Sequence, residues 1–433
     1  MPVASIRVNG GVRVAGMRVK PDLLFLSHRL PTPPHNGAAL RTFNTIRVLS
    51  EAYRVTALCF DRLDPVLAGL DLTARIDALR PYARVEVFPI PQQHSRLRFV
   101  RDHLRSVLRN EAYTLSAYDS PSYAEAIRRA RRELRIALVH VDTLDLARYL
   151  PLLGDLPVAC THHNVESQLL RRRATSESRL RGAYLRVQAS KLERLERHWV
   201  PRVALNVAVS DDDARLFRKL APDARVEVVP NGVDVDYFRP ASVPQRGCVF
   251  VGGTNWFPNR EGLEWFHAAV LPELRALGVR DAVTWVGRCT DADRQRFGGP
   301  DGVELTGYVP DVRPYLDAAA CVIAPLRVGG GTRLKILDAW ASGRAVVSTT
   351  QGCEGLDARD GDDILVADEP RAFARAVQCV LRDPTLRDAL GRRARAHVER
   401  HYSWTGIGRE LRRSYATIQA RADGAPHHMS HFA

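Results

Sequence analysis

The sequence predicts an α/β protein made of two doubly wound halves, and three observations carry that expectation. Short apolar runs of strand length alternate with helical patterns along most of the 433 residues. Such alternation belongs to parallel sheets joined by helical crossovers. It occurs as two series, one opening at Asp22 and one at Cys248. At roughly 100–200 residues per domain, a chain of this length holds two or three domains.

The first series opens with Asp22–Ser27 (DLLFLS), a buried strand by its unbroken apolar run. A loop from Arg29 to Gly37 follows, then a helix in which Leu40, Phe43, Ile46 and Leu49 recur at helical spacing. Strand, Gly-containing loop and helix form the opening unit of a wound sheet, whose ligands bind at the carboxyl ends of the strands. Arg54–Phe60, Arg84–Pro89, Ala137–Val141, Val158–Thr161 and Asn206–Ser210 read as further strands. Val226–Pro240, with two prolines and Asn231-Gly232, reads as the passage between halves. In the second series Cys248–Gly252, Ala282–Gly287, Val303–Thr306, Cys321–Pro325 and Ala345–Thr349 read as strands, and Gly262–Leu277 and Gly331–Ala341 as helices. After Ser403 comes a last helical stretch and a polar end expected to fray. The expected division is 1–240, 241–402, and a terminal 403–433 helix and tail packing back toward the first domain.

Composition narrows the function classes. Hydrophobic residues at 45% and charged residues at 26% exclude a disordered chain. The longest apolar run, Ala318 to Leu326, has nine residues and contains Pro325, far short of the roughly 20 a spanning helix needs. The first twenty residues hold no apolar core of signal-peptide length, so none is expected. Seven scattered cysteines without metal or CxxC spacing suggest buried thiols in a reducing compartment, the cytoplasm. The net charge of +14 is uneven: residues 1–240 carry 38 basic and 26 acidic side chains, residues 241–433 carry 25 and 23. Either the first half meets an acidic partner, or the bias reflects a chain with 59 arginines and four lysines.

Three segments carry residues suited to chemistry. Gly329-Gly-Gly-Thr-Arg-Leu-Lys335 precedes a helix. Gly329, Gly330 and Gly331 would let backbone N–H groups approach an anion beside Thr332, and the helix start adds its dipole. Arg333 can fork onto phosphate oxygens and Lys335 adds a point charge, while Asp338 suits a ribose or sugar diol. The other reading is a Gly-rich turn before a solvated basic helix. The GxxxxGK[ST] phosphate loop is absent. Thr161-His-His-Asn-Val-Glu166 follows a strand, where His162, His163, Asn164 and Glu166 can meet hydroxyls or a leaving phosphate. The alternative is a loop with Asn164 capping the next helix. No metal is expected, for want of HExxH-like spacing. Residues 167–200 place Leu180, Tyr184, Val187, Leu192, Leu195 and Trp199 on one stripe among many arginines. This reads as an amphipathic surface helix, or as a basic face for an anionic membrane surface. Nucleic-acid binding is not expected, since no recognition motif or interleaved aromatics occur.

From about Leu23 to Trp404 the chain resembles the group 1 (family 4) glycosyltransferases of the GT-B fold. The motifs are Val228-Val-Pro-Asn-Gly-Val-Asp234, Val249-Phe-Val-Gly-Gly253, Leu305-Thr-Gly-Tyr-Val-Pro-Asp311 and Gly329 through Leu356, with the Gly37 loop and His162-His163-Asn164. The resemblance implies two Rossmann-like domains facing a cleft, the first on the acceptor side and the second binding a nucleotide-sugar donor, UDP- or GDP-linked. It implies transfer with retention of configuration, no cofactor and no metal, to a glycan or lipid-linked acceptor in surface polysaccharide or glycolipid synthesis. His163 takes the position facing the reacting sugar, with His162 its neighbour and competitor. Gly37 approaches the donor phosphates, Tyr308 and Val309 lie by the base, and Asp338 by the ribose. Two positions depart from the pattern. The E-x7-E pair reads Gly330 and Asp338, and the Arg…Lys pair after the first strand of the second half is blurred, leaving Arg260 as a helper to Arg333 and Lys335. A nucleotide-sugar epimerase and a non-catalytic nucleotide-sugar-binding scaffold are the rival readings.

Overall fold

The computed structural model describes residues 20–424 apart from 35, 65, 66, 68, 176 and 330–332. Among the described residues, thirteen strands form two parallel sheets. The first contains β1 (Asp22–Ser27), β2 (Arg54–Asp61), β3 (Ala83–Pro89), β4 (Ile136–Val141), β5 (Val158–Thr161), β6 (Leu205–Ala208) and β7 (Val226–Val228), in the order β3-β2-β1-β4-β5-β6-β7. The second contains β8 (Arg246–Val251), β9 (Val283–Val286), β10 (Glu304–Gly307), β11 (Ala319–Ala324), β12 (Val346–Ser348) and β13 (Leu365–Val366), in the order β10-β9-β8-β11-β12-β13. β1 and β11 are buried along their whole length, as central strands covered on both faces must be. Each sheet carries a cluster of buried apolar side chains on either face.

The helix Trp404–Gly424 lies against the first lobe although it follows the second in sequence. Trp404, Ile407, Leu411, Tyr415 and Ile418 share one buried cluster with Leu23, Phe25 and Ile46. Arg412 reaches the Val48 carbonyl on the helix Gly37–Ser50 and Glu51 at its end. The two chain passages between lobes are tied together, with the Val233 N–H donating to the Tyr402 carbonyl at 2.8 Å.

Several local expectations need correction. Residues 167–200 are not one helix but a hairpin of Glu166–Ala174 and Arg179–Trp199. The two helices approach so closely that a Cβ at Gly182 would lie 2.8 Å from the Ala174 carbonyl oxygen. Packing on this partner turns the stripe, so Leu180 and Val187 face outward and Leu185, Ala189 and Leu192 inward. The supposed passage from Val226 begins with an edge strand, β7, paired to β6. Ser210, expected to end a strand, instead caps the helix Asp211–Leu220 by accepting from the Asp213 N–H. The helix expected from Gly262 starts at Phe257, with Pro258 in its first turn where no donor is needed, and passes through one wide turn at Phe266–Val270. Among the cysteines, 59, 160, 248 and 321 are buried and Cys379 is exposed.

Candidate active site

The carboxyl ends of β1, β4 and β5 converge on one buried carboxylate. In the first sheet the strand order reverses between β1 and β4, which opens a crevice beyond their carboxyl ends. Asp142, the residue after β4, is fully buried there. Its Oδ2 accepts from Thr42 Oγ1 at 2.7 Å, His28 Nδ1 at 3.1 Å and Ser27 Oγ at 3.3 Å. Its Oδ1 faces His163 Nε2 at 3.5 Å and His140 Nε2 at 3.8 Å. Burial alone would raise the Asp142 pKa; the imidazoles of His163, His140 and His28 outweigh it and hold the carboxyl well below its usual range.

The proton positions follow from the partners. Arg29 Nε donates to His28 Nε2 at 2.9 Å, so Nδ1 carries the His28 proton and gives it to Asp142. Burial and the adjacent Arg29 push the His28 pKa down to about 4, so this ring is neutral near pH 7. His163 is half-buried, with its ring 5.6 Å from that of His28. Because Nε2 faces Asp142, Nδ1 is the nitrogen left for whatever occupies the crevice. The nitrogens and oxygen of His28, Asp142 and His163 lie within 4.8 Å of one another, a donor set that can hold a cation. Gathering them on a metal would cost the Arg29–His28 and His28–Asp142 hydrogen bonds, which already account for their positions.

His162 points elsewhere, correcting its assignment to the acceptor side. Its Nε2 meets Asn206 Oδ1 at 2.9 Å, its ring packs on Phe217, and it is 4% exposed. Burial lowers its pKa to about 4, as suits a neutral core ring. Asn164 and Glu166, which follow His163 in the chain, are half-buried. Asn164 does not cap the following helix, since Val165 holds that position; its Nδ2 donates to Glu166 Oε1 at 3.3 Å. Burial and the nearby Asp145 push the Glu166 pKa up to about 8, so near neutral pH it presents an O–H.

Opposite these strand ends stands the start of the helix Leu334–Ala341. A Cβ at Gly37 would lie 3.0 Å from Leu334 Cδ1, so the first turns of two helices, one from each lobe, meet at Gly37. Gly330, Gly331 and Thr332 lie outside the described residues. Lys335 is half-buried over the Phe250 ring, its Nζ donating to Asn259 Oδ1 at 2.7 Å. Asn259 Nδ2 in turn holds the Gly253 carbonyl after β8 at 2.9 Å. Burial and the neighbouring Arg333 bring the Lys335 pKa down to about 7; burial raises that of Asp338 to about 7.

The two expected arginines are engaged with acidic side chains of this lobe. Arg333 is 7% exposed, with Nη2 on the Gln351 carbonyl at 2.9 Å and on Glu354 at 3.3 Å. Arg260, expected as a helper to Arg333 and Lys335, pairs with Asp293 at 3.0 Å. Tyr308 is 62% exposed at the end of β10, with Arg288 over its ring, and Val309 packs against the core. From the first lobe, Arg172 donates to the Gly329 carbonyl at 2.9 Å and stands 3.6 Å from Glu354. Sequence reasoning passed over Asp142, His28, Thr42, Asn259 and Glu354. The signal for the first two was present: each directly follows a central strand.

Two wound lobes facing each other across paired helix starts define a GT-B protein. Structural likeness agrees. Sucrose-phosphate synthase from Thermosynechococcus elongatus superposes with a TM-score of 0.66 at 18% identity, over 93% of this chain and all (100%) of that one. Anabaena HepE in complex with UDP-glucose gives 0.64 at 14% identity, over 92% and 99%. Residues 35–237 match the family described as Glycosyltransferase Family 4, and residues 245–383 match Glycosyl transferases group 1. The chain belongs to the group 1 (family 4) glycosyltransferases. A curated relative, the lipopolysaccharide core biosynthesis mannosyltransferase LpcC of Rhizobium leguminosarum bv. viciae, is 26% identical over 196 residues, 41% of this chain and 55% of the relative. The chain thus spans about half the length of that relative.

Proposed function

We propose that this protein transfers a sugar, with retention of configuration, from a UDP- or GDP-linked donor to a glycan or lipid-linked acceptor in surface polysaccharide or glycolipid synthesis. The observation that carries this reading is the meeting at Gly37 of two helix starts, the first of which also sends Thr42 to the Asp142 carboxylate that faces His163. Helix N-termini favour anions, and a nucleoside diphosphate gains negative charge as the sugar–phosphate bond breaks. Lys335 adds positive charge on the donor side, Asp338 meets the ribose, and Tyr308 offers an aromatic face to the base. On the acceptor side, Asp142 keeps the His163 proton on Nε2, and Nδ1 accepts from a hydroxyl of the transferred sugar. Protonated Glu166 and Asn164 donate to hydroxyls of the acceptor that do not react, and the proton of the attacking hydroxyl passes to the phosphate oxygen freed as the sugar–phosphate bond breaks. No metal ligand is required by this scheme, since charge is met by the helix starts and Lys335. The mannosyltransferase and UDP-glucose relatives support the donor class.

A thermal-shift panel of UDP- and GDP-sugars identifies the donor, because a ligand that binds only the folded state raises its stability by mass action. Product analysis with the best donor then checks for transfer and for the anomer formed. Stabilisation by no nucleotide-sugar, or an inverted product, would overturn the reading.

A further inference from the structure

The helix Arg96–Leu108 is built inside out. Its polar residues Asp102 and Ser106 are 2% exposed and face the protein. Ser106 Oγ accepts from Gln188 Nε2 at 2.8 Å, and Lys191 Nζ donates to the Ser106 and Arg109 carbonyls. Its apolar residues face water: Leu97, Val100, Leu104, Val107 and Leu108 recur at helical spacing and are 53–86% exposed. Beside them Phe99 and Leu63 line an open hollow of about 480 Å³. A surface helix ordinarily shows the reverse pattern, and a contiguous exposed apolar face marks a docking surface.

We propose that this face docks on an anionic lipid bilayer. The charge around it selects the occupant. Arg96 and Arg101 flank the apolar stripe and are exposed; Arg101 and Arg98 share the single buried carboxylate of Asp102, at 3.3 and 3.5 Å, so the margin stays net positive. Two copies placed face to face would bring these arginines together, which disfavours a second chain as the occupant. Anionic headgroups satisfy both the apolar stripe and its cationic margins. The neighbouring helix Arg179–Trp199 continues the surface: Tyr184 lies 6.1 Å from the His103 ring, and Leu180 and Val187 are exposed. Residues 167–200, read from their charge either as a surface helix or as a membrane-facing one, spend much of it internally. Arg171 and Arg197 pair with Glu193, and Arg173 and Arg181 with Glu177. This proposal does not depend on the sugar-transfer reading, and its test needs no substrate.

Flotation of the full chain with phosphatidylcholine vesicles, with and without phosphatidylglycerol, tests it. Binding is expected with phosphatidylglycerol only, weakening as salt rises. A Leu104→Glu/Leu108→Glu double variant should bind about tenfold more weakly or worse at unchanged thermal stability, since both side chains are exposed. Arg96→Gln/Arg101→Gln should lower the preference for phosphatidylglycerol. A Leu104→Trp variant should have its fluorescence quenched by brominated acyl chains. No binding at low salt, equal binding by the Glu double variant, or no quenching would each overturn the proposal. So would self-association that the Glu double variant abolishes, since a second copy would then cover the face.

Discussion

Asp142 is the residue on which the first lobe's polar groups depend, although it is placed too deep to meet substrate. Its five neighbours, Ser27, His28, Thr42, His140 and His163, come from three strand ends and a helix. That makes it a positioning residue for His163. Asp142→Asn keeps the size and removes the charge. It is expected to lower kcat on the order of 100-fold with little change in KM, because the His163 proton loses its fixed site. A purely structural role would lower thermal stability and leave kcat intact. The stability effect has a defined pH window. The folded carboxyl titrates below its ordinary 3.8, so its contribution is complete above that value and is lost as pH falls through the folded pKa. Acid unfolding curves of the Asn variant should lack that component.

At the scale of elements, the helix Leu334–Ala341 carries two opposed titrations near neutrality. Lys335 normally holds its proton to 10.5 but here releases it at about 7. Stability from this group therefore rises with pH between about 7 and 10.5, where the unfolded chain binds the extra proton. Donor binding should run the other way, because a diphosphate needs the ammonium form. We expect affinity for UDP or GDP to weaken about tenfold as the lysine deprotonates, in line with the roughly 1.5–3 kcal/mol of a charge-assisted hydrogen bond. Lys335→Arg, charged throughout, should flatten that dependence. Calorimetric titration of both proteins across pH 7 checks it, and a wild-type affinity independent of pH would remove Lys335 from the donor site.

For the whole molecule, the distinguishing feature is a terminal helix that returns to the lobe encoded first. Leu411 is 1% exposed in the cluster beneath β1 and the helix Gly37–Ser50. Tyr415 from the same helix meets His140 Nδ1 at 2.6 Å, and His140, two residues before Asp142, places its Nε2 3.8 Å from the Asp142 carboxylate. Leu411→Ala should cost about 2–5 kcal/mol, the usual range for emptying a buried leucine site. Hydrogen exchange should show the loss in β1 and β4, with β8 and β11 retaining their protection. Loss confined to the second lobe would contradict this packing.

Much of this architecture was legible in the residues. Central strands such as β1, β5 and β11 are continuous apolar runs because both faces are covered, so their type follows from local composition. The family motifs, the Gly37 loop and the histidine pair are likewise local patterns. Tertiary structure alone decided which of two adjacent histidines faces Asp142, because direction along an irregular strand end depends on what packs against it. It paired Arg260 with Asp293 and Arg333 with Glu354, contacts of 33 and 21 residues' separation in sequence that periodicity does not encode. It split 167–200 into a hairpin, since an arginine-rich helical pattern continues through a break that only close packing at Gly182 requires. It also turned the apolar side of Arg96–Leu108 outward. Periodicity marks an amphipathic helix, but which face is buried is settled by the neighbours it finds, here Gln188 and Lys191.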